Sequence, residues 1–111
     1  MPADTNPSGD IFGGWLLSQM DIAGGSAAGL RAKGRVTAVG IEAMTFHKPV
    51  LVGDEVSCYT AIQHVGRTSI RIKIDTWVRR GFRSDLIKVT EGVFTYVAIG
   101  DDLRPRPVPK E

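Results

Sequence analysis

A single cysteine, Cys58, leaves no partner for an intrachain disulfide, so a reducing compartment is expected. That cysteine lies in the run Val56–Ile62 and reads as a buried strand residue rather than a reactive thiol. No stretch of about 18 apolar residues occurs, so no membrane-crossing helix is expected. The first ten residues lack both the basic and the apolar regions of a signal peptide, and the expectation is a cytoplasmic protein. Only two histidines are present, His47 and His64, far apart and without Cys or Glu at ligand spacing. No metal site follows from them. No glycine-rich phosphate loop follows a strand, and Ser18 and Ser26 stand in no nucleophile motif. Excess charge is small as well, at +2, with no basic run denser than Arg79-Arg80 or Arg104-Pro-Arg106. That excludes a nucleic-acid footprint and suits a small anionic ligand.

What is present is one domain of 111 residues with 42% apolar and 23% charged residues, an ordinary globular balance. Residues 1–10 carry two Pro, a Gly, an Asn and two Asp, and read as a loop whose last residue, Asp10, caps a helix. Residues 11–32 read as that helix. Phe12, Leu16, Gln19, Met20, Ala23, Ala27 and Leu30 recur at helical spacing as its apolar stripe, and Gly34 closes it beside Arg31 and Lys33. Gly13-Gly14 and Gly24-Gly25 interrupt it. Each interior glycine costs up to ~1 kcal/mol relative to alanine, so something must approach the helix closely there.

Residues 35–99 read as strands: Val36–Phe46, Glu55–Val65, Thr68–Val78 and Leu86–Ile99, punctuated by Val52-Gly-Asp54, Gly66 and the turn Arg79–Asp85. In the third strand Ile70, Ile72, Ile74 and Val78 face one way, and Arg71, Lys73 and Asp75 the other. Residues 100–111 form an extended tail. Its Pro-rich segment Arg104–Pro109 is expected not to pair in a sheet. One helix followed by about four antiparallel strands is an α+β layer, and its open sheet edge calls for a second copy.

Three features carry chemistry. Asp21 is an acid in mid-helix whose face is shared by Gly14, Leu17, Ser18, Gly25 and Ala28, with no basic partner one turn away. It is either an exposed surface residue or a tunable carboxylate in a lean groove. Gly13-Gly14 is either a flexible junction or a side-chain-free helix start whose amides can hold an oxyanion. Asn6 is either a turn residue or an amide that holds a water or carbonyl.

The segments Thr5-Asn-Pro-Ser-Gly-Asp-Ile-Phe-Gly-Gly-Trp-Leu-Leu-Ser-Gln-Met-Asp21, Phe46-His-Lys-Pro-Val-Leu-Val-Gly-Asp54, Val65-Gly-Arg-Thr-Ser-Ile70 and Val89-Thr-Glu-Gly-Val-Phe-Thr-Tyr-Val-Ala98 resemble, in order, the hotdog-fold acyl-CoA thioesterases of the YciA-like branch. The resemblance implies a hotdog fold, an antiparallel sheet of five or six strands wrapped around one central helix. It implies dimers with sheets joined edge to edge, commonly assembled as trimers of dimers, and an active site between subunits. Asp21 matches the catalytic carboxylate, as general base or nucleophile. Asn6 matches its polar partner, and Gly13 and Gly14 the amides that polarise the thioester carbonyl. Arg67, Thr68 and Ser69 match the region that contacts the nucleotide end of CoA, which is part of the substrate; no separate cofactor is implied. The family usually has a strand before the Asn6 loop and a helical extension after the last strand, and neither is read here. The implied function is hydrolysis of acyl-CoA. The alternative is a non-catalytic hotdog module that binds CoA or acyl-CoA as a sensor. A dehydratase on the same fold would want a histidine on or near the helix, where neither His47 nor His64 is expected.

Overall fold

The computed structural model describes residues 13–82 and 85–110. A 20-residue helix α1 (Gly13–Ala32) is followed by strands β1 (Val36–Phe46), β2 (Glu55–Val65), β3 (Ser69–Arg79) and β4 (Leu86–Ala98). The strands form one antiparallel sheet in the order β1-β4-β3-β2, and the helix packs across all four. The described residues thus contain four strands, as the residue pattern suggests, and not the five or six that the family resemblance implies. The loop read over residues 1–10 and the start of the helix at 11–12, with Asn6 and Asp10, lie outside the described residues.

Strand parity sets the core. Ile70, Ile72, Ile74, Thr76 and Val78 of β3 are buried, as are Phe94, Tyr96 and Ala98 of β4. On the helix the buried row is Leu16, Met20, Gly24, Ala28 and Ala32, spaced by four. This corrects the stripe read from sequence. Leu30 is 82% exposed, and the row passes instead through a glycine. The reason is steric: a Cβ on Gly24 would lie 2.4 Å from Tyr96 Oη and 2.6 Å from Ile74 Cδ1. The helix can lie this close to the sheet only where it has no side chain.

The helix end differs in a similar way. Lys33, with φ 55°, takes the left-handed position, while the Gly34 amide donates to the Gly29 carbonyl at 3.2 Å. These are a Schellman cap's features, shifted one residue from the expected glycine. Gly34 is required for a different reason. The Arg106 guanidinium lies where its Cβ would be, at 2.5 Å, and donates to the Ala32 carbonyl at 2.9 Å. A cation therefore closes the negative end of the helix.

Arg106 belongs to the tail, where the expectation that it cannot pair fails. The chain reverses after Ile99, and Pro105 bridges back to Ile99. The Arg106 amide donates to Ala98 O at 2.9 Å and the Val108 amide to Arg67 O at 2.8 Å. Prolines at 105, 107 and 109 remove only alternate donors. In extended backbone the remaining amides point to one side, so a one-sided pairing survives.

At the opposite end, Arg80 grips the carboxylate of Asp54 through Nε and Nη2 at 3.0 and 2.9 Å, and the Leu51 amide donates to it at 2.8 Å. Burial alone would raise the Asp54 carboxyl. The Arg80 hydrogen bonds, the Leu51 amide and the Arg80 charge outweigh it and hold the group below the usual carboxylate value. Cys58 is half-buried on β2, its Sγ 3.6 Å from Thr76 Oγ1.

On the sheet's other face, Glu91 accepts from His47 at 2.8 Å and pairs with Lys88 at 3.0 Å and Lys73 at 3.2 Å. Those bonds, led by His47, pull its carboxyl from 4.5 to about 2. A depressed folded-state pKa contributes stability that is complete above the unfolded value and lost as pH falls through the folded one. Thermal melts should therefore show Tm dropping on acidification between pH 4.5 and about 2, and Glu91→Gln should flatten that drop. A variant whose acid profile matched the parent's would exclude Glu91 as the source. High salt should weaken the effect, since the cluster is solvent-accessible.

Candidate active site

Helix α1 separates two grooves. One, of about 240 Å³, is lined by Gly13, Leu16 and the segment Phe46–Val50. The other, of about 300 Å³, is lined by Gly14, Leu17, Ser18, Asp21, Ala38 and Ile41. Asp21 thus lies in a mostly apolar groove with Gly14 two turns earlier on the same face. No heavy atom lies within 4 Å of where a Gly14 side chain would start, so any larger residue there would project into open groove space. The peptides of Gly13 and Gly14 belong to the first helical turn, where amides lack intrahelical acceptors and the dipole is positive. The two glycines part company in space: Gly14 shares the groove of Asp21, while Gly13 opens on the other, 3.5 Å from the Phe46 ring at its would-be Cβ.

The carboxylate of Asp21 is exposed in the single chain, but it is not loose. Tyr96 Oη donates to Asp21 Oδ1 at 2.9 Å and approaches the Asp21 carbonyl at 3.0 Å. Tyr96 is 2% exposed, on β4 between β1 and β3, its ring 6.4 Å from that of Phe94. Burial first, then the bond to Asp21, raises its hydroxyl well above the normal phenol value, so it stays protonated and a donor. Sequence reasoning missed this residue. Its partner is 75 positions away, beyond any local pattern. The available signal was parity: a tyrosine two residues after Phe94 faces the core, and a buried phenol needs an acceptor.

The other residues singled out from sequence scatter. Arg67 is exposed and Thr68 half-buried in the β2–β3 turn, and Ser69, also half-buried, opens β3. Their backbone carbonyls accept from Val108, Ala98 and Gly66 respectively. None of the three lines the groove of Asp21 within one chain. Met20, of the apolar stripe, is fully buried in the core, while Phe46 lines the Gly13 groove and Leu17 that of Asp21. His47 does come near the helix start, contrary to expectation, lining the groove with Gly13. Its Nε2 is held by Glu91, and it does not share the groove of Asp21. Among the described residues no three of His, Cys, Asp and Glu come together as metal ligands. No helix of the described residues is long and apolar enough to cross a membrane.

A helix-borne acid beside a bare helix start can activate water against a carbonyl. Comparison with known proteins points the same way. Residues 8–81 match the thioesterase superfamily. The chain is 52% identical over 112 residues to the acyl-CoA thioester hydrolase YciA of Salmonella typhimurium, covering 98% of this chain and 84% of that protein. Among solved structures, a hexameric thioesterase of Yersinia pestis superposes with TM-score 0.91 at 51% identity, over 100% of this chain and 90% of that one. A hexameric broad-specificity acyl-coenzyme A thioesterase, crystallised with one aspartate changed to alanine, gives TM-score 0.94 at 46% identity over 100% and 82%. With the family match spanning most of the chain and identity near half along its length, the chain belongs to the thioesterase superfamily and has its hotdog fold.

Proposed function

We propose that this protein hydrolyses acyl-CoA thioesters to free carboxylic acids and CoA. The observation that carries the proposal is Asp21, a carboxylate fixed by Tyr96 in a groove that runs back to Gly14 at the helix start. The thioester carbonyl rests against the first-turn amides, chiefly that of Gly14, which shares the groove of Asp21, with that of Gly13 adjacent, and they take up the negative charge as the carbon becomes tetrahedral. Asp21 acts as general base: it removes a proton from a water as the water oxygen bonds to that carbon. Collapse of the intermediate breaks the C–S bond. The proton held by Asp21 passes to the departing CoA sulfur, leaving acid and thiol and regenerating the carboxylate. The amide of Asn6 orients the water.

The working unit is a homo-oligomer in the cytoplasm. Support comes from the hexameric structural relatives and from edge strand β1, whose Val39 and Ile41 are apolar yet exposed, Ile41 in the lining of the Asp21 groove. Dimers with edge-to-edge sheets, assembled as a trimer of dimers, would wall that groove with a second copy. Arg67, Thr68 and Ser69, too far from Asp21 to share its groove in one chain, would then meet the phosphates of CoA on a neighbour. Arginine is well suited to phosphate.

The test is a series of acyl-CoAs from acetyl to palmitoyl, followed by thiol release with a chromogenic disulfide. Turnover should reach the ordinary enzymatic range of about 1–10³ per second on at least one of them. CoA binding by calorimetry with no thiol released from any would instead identify a binding module.

A further inference from the structure

We propose that Tyr96 and Gly24 form a matched pair that positions the carboxylate of Asp21, an inference that rests on the hydrolase reading above. Tyr96 stands on β4, a central strand of the sheet, and reaches across the sheet–helix interface. Its hydroxyl meets Asp21 twice, at the side-chain Oδ1 and at the main-chain carbonyl. It meets no other acceptor among the described residues. A mid-helix carboxylate at an exposed position ordinarily samples several rotamers. Here one oxygen is tied to a buried phenol, and Oδ2 remains for a water.

The reach depends on Gly24. A side chain there would put its first carbon 2.4 Å from Tyr96 Oη and 3.1 Å from Tyr96 Cε2. The next glycine, Gly25, would make only ordinary contact with the same ring, at 3.7 Å. So the helix is bare at the one place where the phenol must slip beneath it to reach Asp21, one turn back. Gly24 thus acts on the chemistry only through Tyr96, and Tyr96 only through Asp21. Both are positioning residues. Because its proton is held tightly, Tyr96 serves as a fixed donor and not as an acid or base in the cycle.

The experiment is steady-state thiol release by the full-length oligomer, with folding followed by thermal melts. Tyr96→Phe keeps the ring and removes the donor. It should lower kcat about 10-fold or more while KM for acyl-CoA changes less than about 2-fold, since the loss falls on the chemical step. Tm should fall by no more than about 4–8 °C, the size of one lost hydrogen bond. In an Asp21→Asn background the same change should have little further effect on kcat, because residues that act as a unit are not additive. Gly24→Ala should lower both Tm and kcat. Adding Tyr96→Phe to it removes the clashing oxygen, though not the approach of Ile74 Cδ1 at 2.6 Å, and should recover part of the lost Tm but none of kcat, a split that a purely structural role would not produce. Unchanged kcat in a folded Tyr96→Phe enzyme, or a loss confined to KM, would overturn the proposal while leaving the hydrolase reading intact. Absence of thiol release by the parent protein would overturn both.

Discussion

Asp21→Asn is expected to lower kcat by about 10²–10⁴-fold, the contribution of a positioned general base. The substitution is chosen because the amide oxygen can still accept from Tyr96, so the hydrogen bond that fixes the side chain persists. What disappears is the capacity to take a proton from water. Asp21 is exposed in the single chain, and a neutral isostere there should leave Tm and the oligomer unchanged within measurement. Loss of turnover can then be attributed to chemistry. Size-exclusion chromatography and a thiol-release assay on the parent's best substrate settle it together. A folded Asp21→Asn enzyme within about threefold of the parent on every acyl-CoA would remove Asp21 from the mechanism, since a base contributes far more than that.

Phe94→Ala should cost about 3–5 kcal/mol of folding stability. Phe94 is fully buried on β4, the strand between β1 and β3, with its ring stacked near Tyr96 at an interplanar angle of 16°. Three sets of neighbours close around it. The helix lies over the sheet on its face, Ile72 stands opposite on β3, and Ile41 is its register partner on β1. Truncation leaves a cavity that strands hydrogen-bonded on both sides cannot easily collapse to fill. Against a typical total of about 5–15 kcal/mol, that is a large fraction. Urea unfolding at fixed protein concentration is the measurement, since the proposed assembly would contribute to apparent stability. A shift below about 1 kcal/mol would mean that the site relaxes and that Phe94 is not a core keystone.

The sheet was legible in the sequence because its signals are local. Turn residues bracket β1 and β2 so sharply that Val36–Phe46 and Glu55–Val65 are found where they were read. Strict alternation placed Ile70, Ile72, Ile74 and Val78 inward, and β3 itself moved by only one residue at each end. What failed was set by contacts distant along the chain. Leu30 fits the helical stripe on spacing, yet the helix turns toward the sheet along the row through Gly24, where Tyr96 and Ile74 leave no room for a side chain. Gly34 is a good capping residue on composition, but Lys33 takes the left-handed position, and Gly34 instead leaves room for Arg106, over seventy residues on. The candidate site divides in the same manner. Asp21 and Gly14 lie two turns apart on one helix, so spacing alone brings them to one groove. Arg67, Thr68 and Ser69 have no such link to Asp21, and the single chain keeps them apart.

The proline-punctuated tail has one further effect. Its amides at Arg106 and Val108 both turn inward, toward Ala98 and Arg67. Between and beside them, Pro105, Pro107 and Pro109 have no N–H at all, and the carbonyls of Pro107 and Pro109 already accept from Arg106 and Arg31. A stray extended peptide arriving there would find no donors and few free acceptors, too little for a ladder. The sequence that looks least able to join a sheet thus finishes the end of its central strands, with a segment that offers a newcomer nothing to extend.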